Sequence, residues 1–309
     1  METEAAQARQ PDRFEPGADL NGALAHAAHQ VAVRATLVPG IDPVPFFAGA
    51  WPDGSANARA QRLPGGGVVY VNTGLIWLLR ILAQYTAGAL AFILDNPRLG
   101  ADVDRGSTRE LAEDLFVRLL TGEHRPYHLS AWAMTGPRNA FRRNLLDAAV
   151  DFVVAHEYGH LVNAEYRGGL GCVSLDLSGL VRPRTEGQEL NAQHDELQAD
   201  ITAWRILLAD AGQAPVEHLV TAALGGCLAL AAQTAIYRIA LAMGSDDYGW
   251  SHPAPEIRVP ALYEALAERD LQPARTYSDR FMEWAEESFA IVEARRRGFD
   301  RLEGRHDGR

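Results

Sequence analysis

Lysine is absent from this chain: all 29 of its lysine-or-arginine positions are arginine, out of 309 residues. No lysine Schiff base or lysine general base is therefore on offer, and any catalysis has to run through other groups. Cysteine is almost missing too. Cys172 and Cys227 exclude a disulfide framework and a C-x-x-C metal knuckle. The abundance of alanine beside this lack of lysine fits a GC-rich coding sequence. Positive charge is in deficit, with 40 acidic residues and a net charge of −11, which argues against a nucleic-acid backbone as the main partner. Arg295-Arg296-Arg297 is a local exception that suits the C-terminal end of a helix.

A secretory leader is not visible, because residues 1–16 are polar and charged without an apolar centre. Residues 1–20 and 299–309 are expected to be disordered tails. An uninterrupted apolar run of membrane-spanning length is missing as well. Residues 75–94 carry Arg80 and Gln84, and residues 219–242 carry Gln233 and Arg238. With no strong basic flank and a mean hydropathy of −0.15, both read as buried helices and the location as cytoplasmic.

What is present is a chain with 47% hydrophobic residues, enough to build one large core, without internal repeats or low-complexity linkers. Its sharpest feature is His156-Glu157-Tyr158-Gly159-His160, an H-E-x-x-H pentapeptide inside an apolar, helix-patterned stretch over about residues 138–166. Residues four apart share a helix face, so both imidazoles can reach one metal ion. Glu157 lies beside them, placed to take a proton from water activated by that metal. Two buried histidines with no ligand would be a costly way to fill a core.

A third ligand is expected on a second helix, over about residues 187–211. Glu196 and Asp200 in Glu196-Leu197-Gln198-Ala199-Asp200 also lie one turn apart. Alone, this pair reads as a solvated acidic face. Beside the histidine helix, Glu196 completes a His-His-Glu set, and Asp200 accepts the remaining N–H of a ligand histidine.

In this order, the two motifs resemble those of the gluzincin metallopeptidases, specifically the type I CAAX prenyl proteases with the bacterial HtpX-like and soluble minigluzincin enzymes. Two further segments are similar to elements of that family. Ser251-His252-Pro253 followed by Arg258 resembles its (S/T)-H-P-x-x-x-x-R element. Asn57-Ala58-Arg59-Ala60, then Pro64-Gly65-Gly66-Gly67-Val68-Val69-Tyr70-Val71-Asn72-Thr73-Gly74-Leu75, resembles its N-A-x-A … P-G-G … V-x-T-G-L segment. The resemblance covers about half the chain, near residues 55–78 and 145–262.

The resemblance implies one Zn2+ per chain on His156, His160 and Glu196, with Glu157 as general base and His252 stabilising the oxyanion. Asp200 and Arg258 are implied as support. The strand Gly67, Val68, Val69, Tyr70, Val71 is implied as the edge strand over the cleft, where an extended or unfolded polypeptide docks. The expected fold is α+β: a mainly helical, zincin-like domain over residues 21–298 with a small sheet. An insertion near residues 94–143, longer than the compact relatives need, can cover the cleft, restrict substrates or bind a partner. Its His124 and His128 read as solvated loop residues. The function expected is a soluble zinc endopeptidase. The other reading is a latent or non-cleaving metal-binding regulatory protein on the same fold.

Overall fold

The computed structural model describes residues 13–14, 17–54, 57–93, 136–163, 186–210 and 216–242, together with Arg258 and Asp279. In chain order the elements are α1 (Leu20–Ala35), β1 (Phe46–Trp51), β2 (Ala58–Leu63), β3 (Gly66–Asn72), α2 (Thr73–Ile93), α3 (Gly136–Asn163), α4 (Glu186–Leu207) and α5 (Val216–Ala242). The architecture is α+β, mostly helical with one three-stranded sheet.

Asp19 caps α1, its carboxylate accepting from the Gly22 N–H at 3.1 Å. The helix buries Ala23, Leu24, Ala27, Ala28 and Val31, a stripe with helical spacing. Pro64-Gly65 joins β2 to β3 as a two-residue hairpin, and Gly65 takes the positive φ of +80° that such a turn asks of glycine. β3 then runs directly into α2, where the Thr73 hydroxyl and the Gly74 N–H both donate to the Asp53 carbonyl at 3.0 Å.

The strand order is β1-β3-β2, with β1 parallel and β2 antiparallel to β3. This corrects the expected position of residues 67–71. Gly67, Val68, Val69, Tyr70 and Val71 lie in the central strand, hydrogen-bonded on both sides, and cannot pair with a docking peptide. The physical reason lies in the residues. A β-branched run marks the strand whose inner face is most deeply buried, here at Val69 and Val71. Edge strands tend to be short and polar, like Ala58-Arg59-Ala60-Gln61-Arg62-Leu63. β2 is the edge that packs on α3.

Helix α3 is the hub, touching α1, α2, α4, α5, β2 and β3. Leu145, Leu146, Val150, Phe152, Val154, Ala155, Tyr158 and Leu161 are buried, spread around the helix rather than along one stripe. A helix apolar on all sides is stable only when neighbours surround it. Those neighbours come very close. A side chain on Gly67 of β3 would run into Leu161, one on Gly225 of α5 into Ala148, and one on Gly226 into Trp204 of α4.

The N-terminal boundary also differs from expectation. Phe14, assigned by sequence to a disordered tail, is 2% exposed and part of the core. Arg13 beside it pairs with Asp147 of α3 at 2.8 Å. The last residues of the expected insertion, 136–143, form the first turns of α3, while residues 94–135 and the C-terminal tail lie outside the described residues. Among the described residues no helix is long and apolar enough to cross a membrane.

One carboxylate in this core is under-compensated. Asp151 of α3 has a side chain 14% exposed and lies 4.0 Å from Arg34. Its Oδ1 has no hydrogen-bond partner among the described residues. Burial lifts its carboxyl to about 6; Arg13 and Arg34 offset part of that rise, and Asp147 adds to it. The folded state therefore binds more protons than the unfolded chain between about pH 4 and about pH 6, and stability falls as pH rises through that window. Asp151→Asn is expected to stabilise the protein by about 1–3 kcal/mol at pH 8. The advantage should vanish near pH 4, as read from urea unfolding at the two pH values.

Candidate metal centre

Helices α3 and α4 meet where the pentapeptide carries its glycine. A Cβ on Gly159 would sit 3.0 Å from the Ala199 Cα and carbonyl oxygen. That close approach brings the side chains flanking Gly159 against those flanking Ala199. Asp200 follows Ala199, and Glu196 lies nearly one turn before it, so one helix–helix contact delivers both carboxylates to both histidines.

His156 Nε2, His160 Nε2 and the Glu196 carboxylate gather at one point. The histidine nitrogens are 3.2 Å apart. Glu196 Oε2 lies 3.3 Å from His156 Nε2, and Oε1 lies 3.4 Å from His160 Nε2. This group can hold a metal ion. His156 is nearly inaccessible at 4%, while the His160 side chain is 25% exposed, so the site opens to solvent on the His160 side.

Behind His156 the polar chain continues inward. His156 Nδ1 lies 2.9 Å from Asp200 Oδ1. An ionised carboxylate only accepts, so Nδ1 carries the hydrogen, and Nε2 is the nitrogen that faces His160 and Glu196. Arg258 Nε donates to Asp200 Oδ2, and Nη2 to Oδ1, each at 2.6 Å, a bidentate pair. Arg258 Nη1 donates to Gln233 Oε1 of α5. Asp200 and Arg258 are 0% and 1% exposed.

These contacts set the ionisation. Burial alone would raise the Asp200 carboxyl, but the Arg258 guanidinium and the His156 ring outweigh it and hold the group below the usual carboxylate range. Burial opposes the His156 cation, yet hydrogen bonds to Asp200 and Glu196 carry that ring to about 10. A proton and a metal ion thus compete for the same nitrogen. Glu157 is 8% exposed. Its burial lifts the carboxyl, Glu196 adds to the rise, and the two histidines and a hydrogen bond from the Ala60 backbone N–H pull it back. A carboxylate poised in this way is suited to proton transfer.

The Ala60 contact ties the site to the sheet. In an antiparallel ladder alternate residues point their backbone groups away from the partner strand. Asn57 pairs with β3 through the Asn72 N–H at 2.9 Å. By alternation Ala58, Ala60 and Arg62 face outward, and the Ala60 N–H reaches Glu157. The edge beside the candidate base is therefore β2. It belongs to the Asn57-Ala58-Arg59-Ala60 element quoted above, although no strand was expected there.

Of the residues singled out in the sequence, His156, Glu157, His160, Glu196, Asp200 and Arg258 converge on one site. His252 lies outside the described residues, as do His124 and His128. Gly67, Val68, Val69, Tyr70 and Val71 are one strand further away, behind β2. Sequence reasoning missed Ala60, whose part is played by its backbone, and Gln233. The signal for Gln233 was its amide in an apolar helix, weighed only as an obstacle to membrane insertion. The comparisons add no relative: the chain matches no family model, no curated protein and no solved structure.

The buried ion pair makes a sharp demand on stability. Asp200→Ala leaves the Arg258 guanidinium buried without its counter-charge, and a loss of about 3–5 kcal/mol is expected. Urea unfolding of the metal-free protein measures it, and a loss below 1 kcal/mol would show that the pair is not buried as described.

Proposed function

We propose that the protein is a zinc-dependent endopeptidase acting on extended polypeptide segments. The observation that carries this reading is the triangle of His156, His160 and Glu196 donors with the Glu157 carboxylate beside it. Donors around a tetrahedral zinc ion with bonds of about 2.0–2.1 Å are separated by about 3.3–3.4 Å. The two imidazole nitrogens, 3.2 Å apart, come close to that separation, and a carboxylate oxygen of Glu196 lies 3.3 Å from one and the other oxygen 3.4 Å from the second. Two imidazoles and one carboxylate are a donor set found in hydrolytic zinc sites, which leave one position open.

Formal charge agrees with a divalent cation. Among the described residues the carboxylates of Glu157, Glu196 and Asp200 gather around the Arg258 guanidinium, an excess of negative charge that a doubly charged ion suits. When bound, zinc supplies Lewis acidity to water and to a substrate carbonyl. The chain's own residues supply the rest. Glu157 takes a proton from the attacking water and passes it to the leaving amine. Asp200 keeps the His156 ring oriented. The preference for a peptide over a small ester rests on the gluzincin resemblance, since on β2 the Ala58 N–H already donates to Asn57 Oδ1 at 2.9 Å and the Ala60 N–H to Glu157.

The resemblance to gluzincins supports the same reading, and the expected cytoplasmic location belongs to it as well. A role for His252 at the oxyanion is part of the proposal and rests on that resemblance.

Glu157→Gln keeps all three donors and removes only the base. It is expected to bind one Zn2+ per chain while casein hydrolysis falls by about 10²–10⁴-fold. Metal analysis and a fluorescent casein assay on the same samples test both halves. Hydrolysis at the wild-type rate would overturn the mechanism. Zinc binding with no cleavage by the wild-type chain would favour the regulatory reading.

A further inference from the structure

The polar chain behind His156 does not end at Arg258. Its last member is Gln233, on a helix that otherwise contributes apolar packing to the core. A guanidinium that is 1% exposed keeps its charge only if its N–H groups find acceptors. Asp200 takes Nε and Nη2. Gln233 Oε1 takes Nη1, the nitrogen on the far side of the planar fork. The fork is therefore fixed at both ends, by a carboxylate on α4 and an amide on α5.

The packing explains why α5 can do this. Gly226 lets α5 approach until its backbone lies against the Trp204 ring of α4. Seven residues further along α5, on the same helix face, is Gln233, and four residues back along α4 from Trp204 is Asp200. The two faces that meet at the glycine continue to the ion pair. An amide suits the position, because it accepts a hydrogen bond without adding a fourth carboxylate to Glu157, Glu196 and Asp200.

We propose that Gln233 is a positioning residue for the metal centre, holding the Arg258 guanidinium in the plane that orients Asp200 and, through Asp200, the metal-binding ring of His156. The inference rests on the zinc-site reading above. Arg258 Nη2 also lies 4.0 Å from Glu196 Oε2, so a turn of the fork disturbs two of the three ligands together.

The test uses the full chain and Zn2+ alone, with affinity read by competition against a chromogenic chelator. Gln233→Met keeps the length and apolar stem but removes the acceptor. It is expected to weaken Zn2+ binding about tenfold, the lower end of what loss of a hydrogen bond behind a ligand costs. The circular dichroism of the metal-free variant should stay at the wild-type level. Gln233→Glu restores an acceptor oxygen and is expected to bind Zn2+ at least as tightly as the wild type. Gln233→Met binding within twofold of the wild type would overturn the inference while leaving the zinc site intact. If Gln233→Met fails to fold, Gln233→Glu decides: wild-type or tighter binding supports the positioning role, and weaker binding overturns it. A wild-type chain that binds no Zn2+ overturns the zinc-site reading itself, and this inference with it.

Discussion

Everything at the site depends on how closely α3 and α4 can approach. At Gly159 an added methyl carbon would lie 3.0 Å from the Ala199 backbone, so the helices would have to part slightly to admit one. A wider separation would pull Asp200 off His156 and take Glu196 out of reach of both imidazoles. The ligands are thus set by a steric contact between helices and not by loop geometry, which favours precision because helices are the stiffer support. The other helices reinforce the contact, since α5 rests against both α3 and α4 through Gly225 and Gly226.

Electrostatics then decides which charges the packed site can hold. Arg258 is set against Asp200, Glu196 and Glu157, and each of the three raises its affinity for its proton. The cluster is acceptor-rich by design of its residues, so some cation has to reside there, a proton on His156 or a metal ion. Asp151, further up the same helix, shows the contrast. It is also buried, but its arginine neighbours stand further off, and its carboxyl is pushed up instead of down.

Much of this was legible in the sequence, and the reasons differ by element. The pentapeptide, Glu196 and Asp200 announced themselves because chemistry demands particular side chains at helical spacing. The helices from residue 73, residue 136, residue 186 and residue 216 were read within a few residues, since long apolar or periodic patterns constrain their own ends. The sheet was read poorly. β3 was found from its valines, but β1, with glycine and alanine at its centre, and β2, with two arginines and a glutamine, lack the β-branched alternation that marks a strand. The edge was therefore given to the only strand that could be seen. Ala60 escaped for a deeper reason: a backbone N–H leaves no trace in the identity of its residue. The role of Arg258 was visible only through a resemblance; in the structure its guanidinium pairs with Asp200.

Tyr158 gives the pentapeptide a further meaning. Its buried hydroxyl accepts the Val44 N–H at 2.9 Å, and its ring lies 4.5 Å from that of Phe46, where β1 begins. The five residues therefore grip both neighbours of the helix, α4 through His156, Gly159 and His160 and the sheet through Glu157 and Tyr158. His156 holds Asp200, Glu157 meets the outer strand, Tyr158 anchors the first strand, Gly159 seats α4, and His160 faces Glu196. This stretch of helix joins α4 to the sheet. A substitution at either position written as "x" in the motif would therefore disturb the architecture: Tyr158 would lose its hold on Val44, and a side chain at Gly159 would press on Ala199.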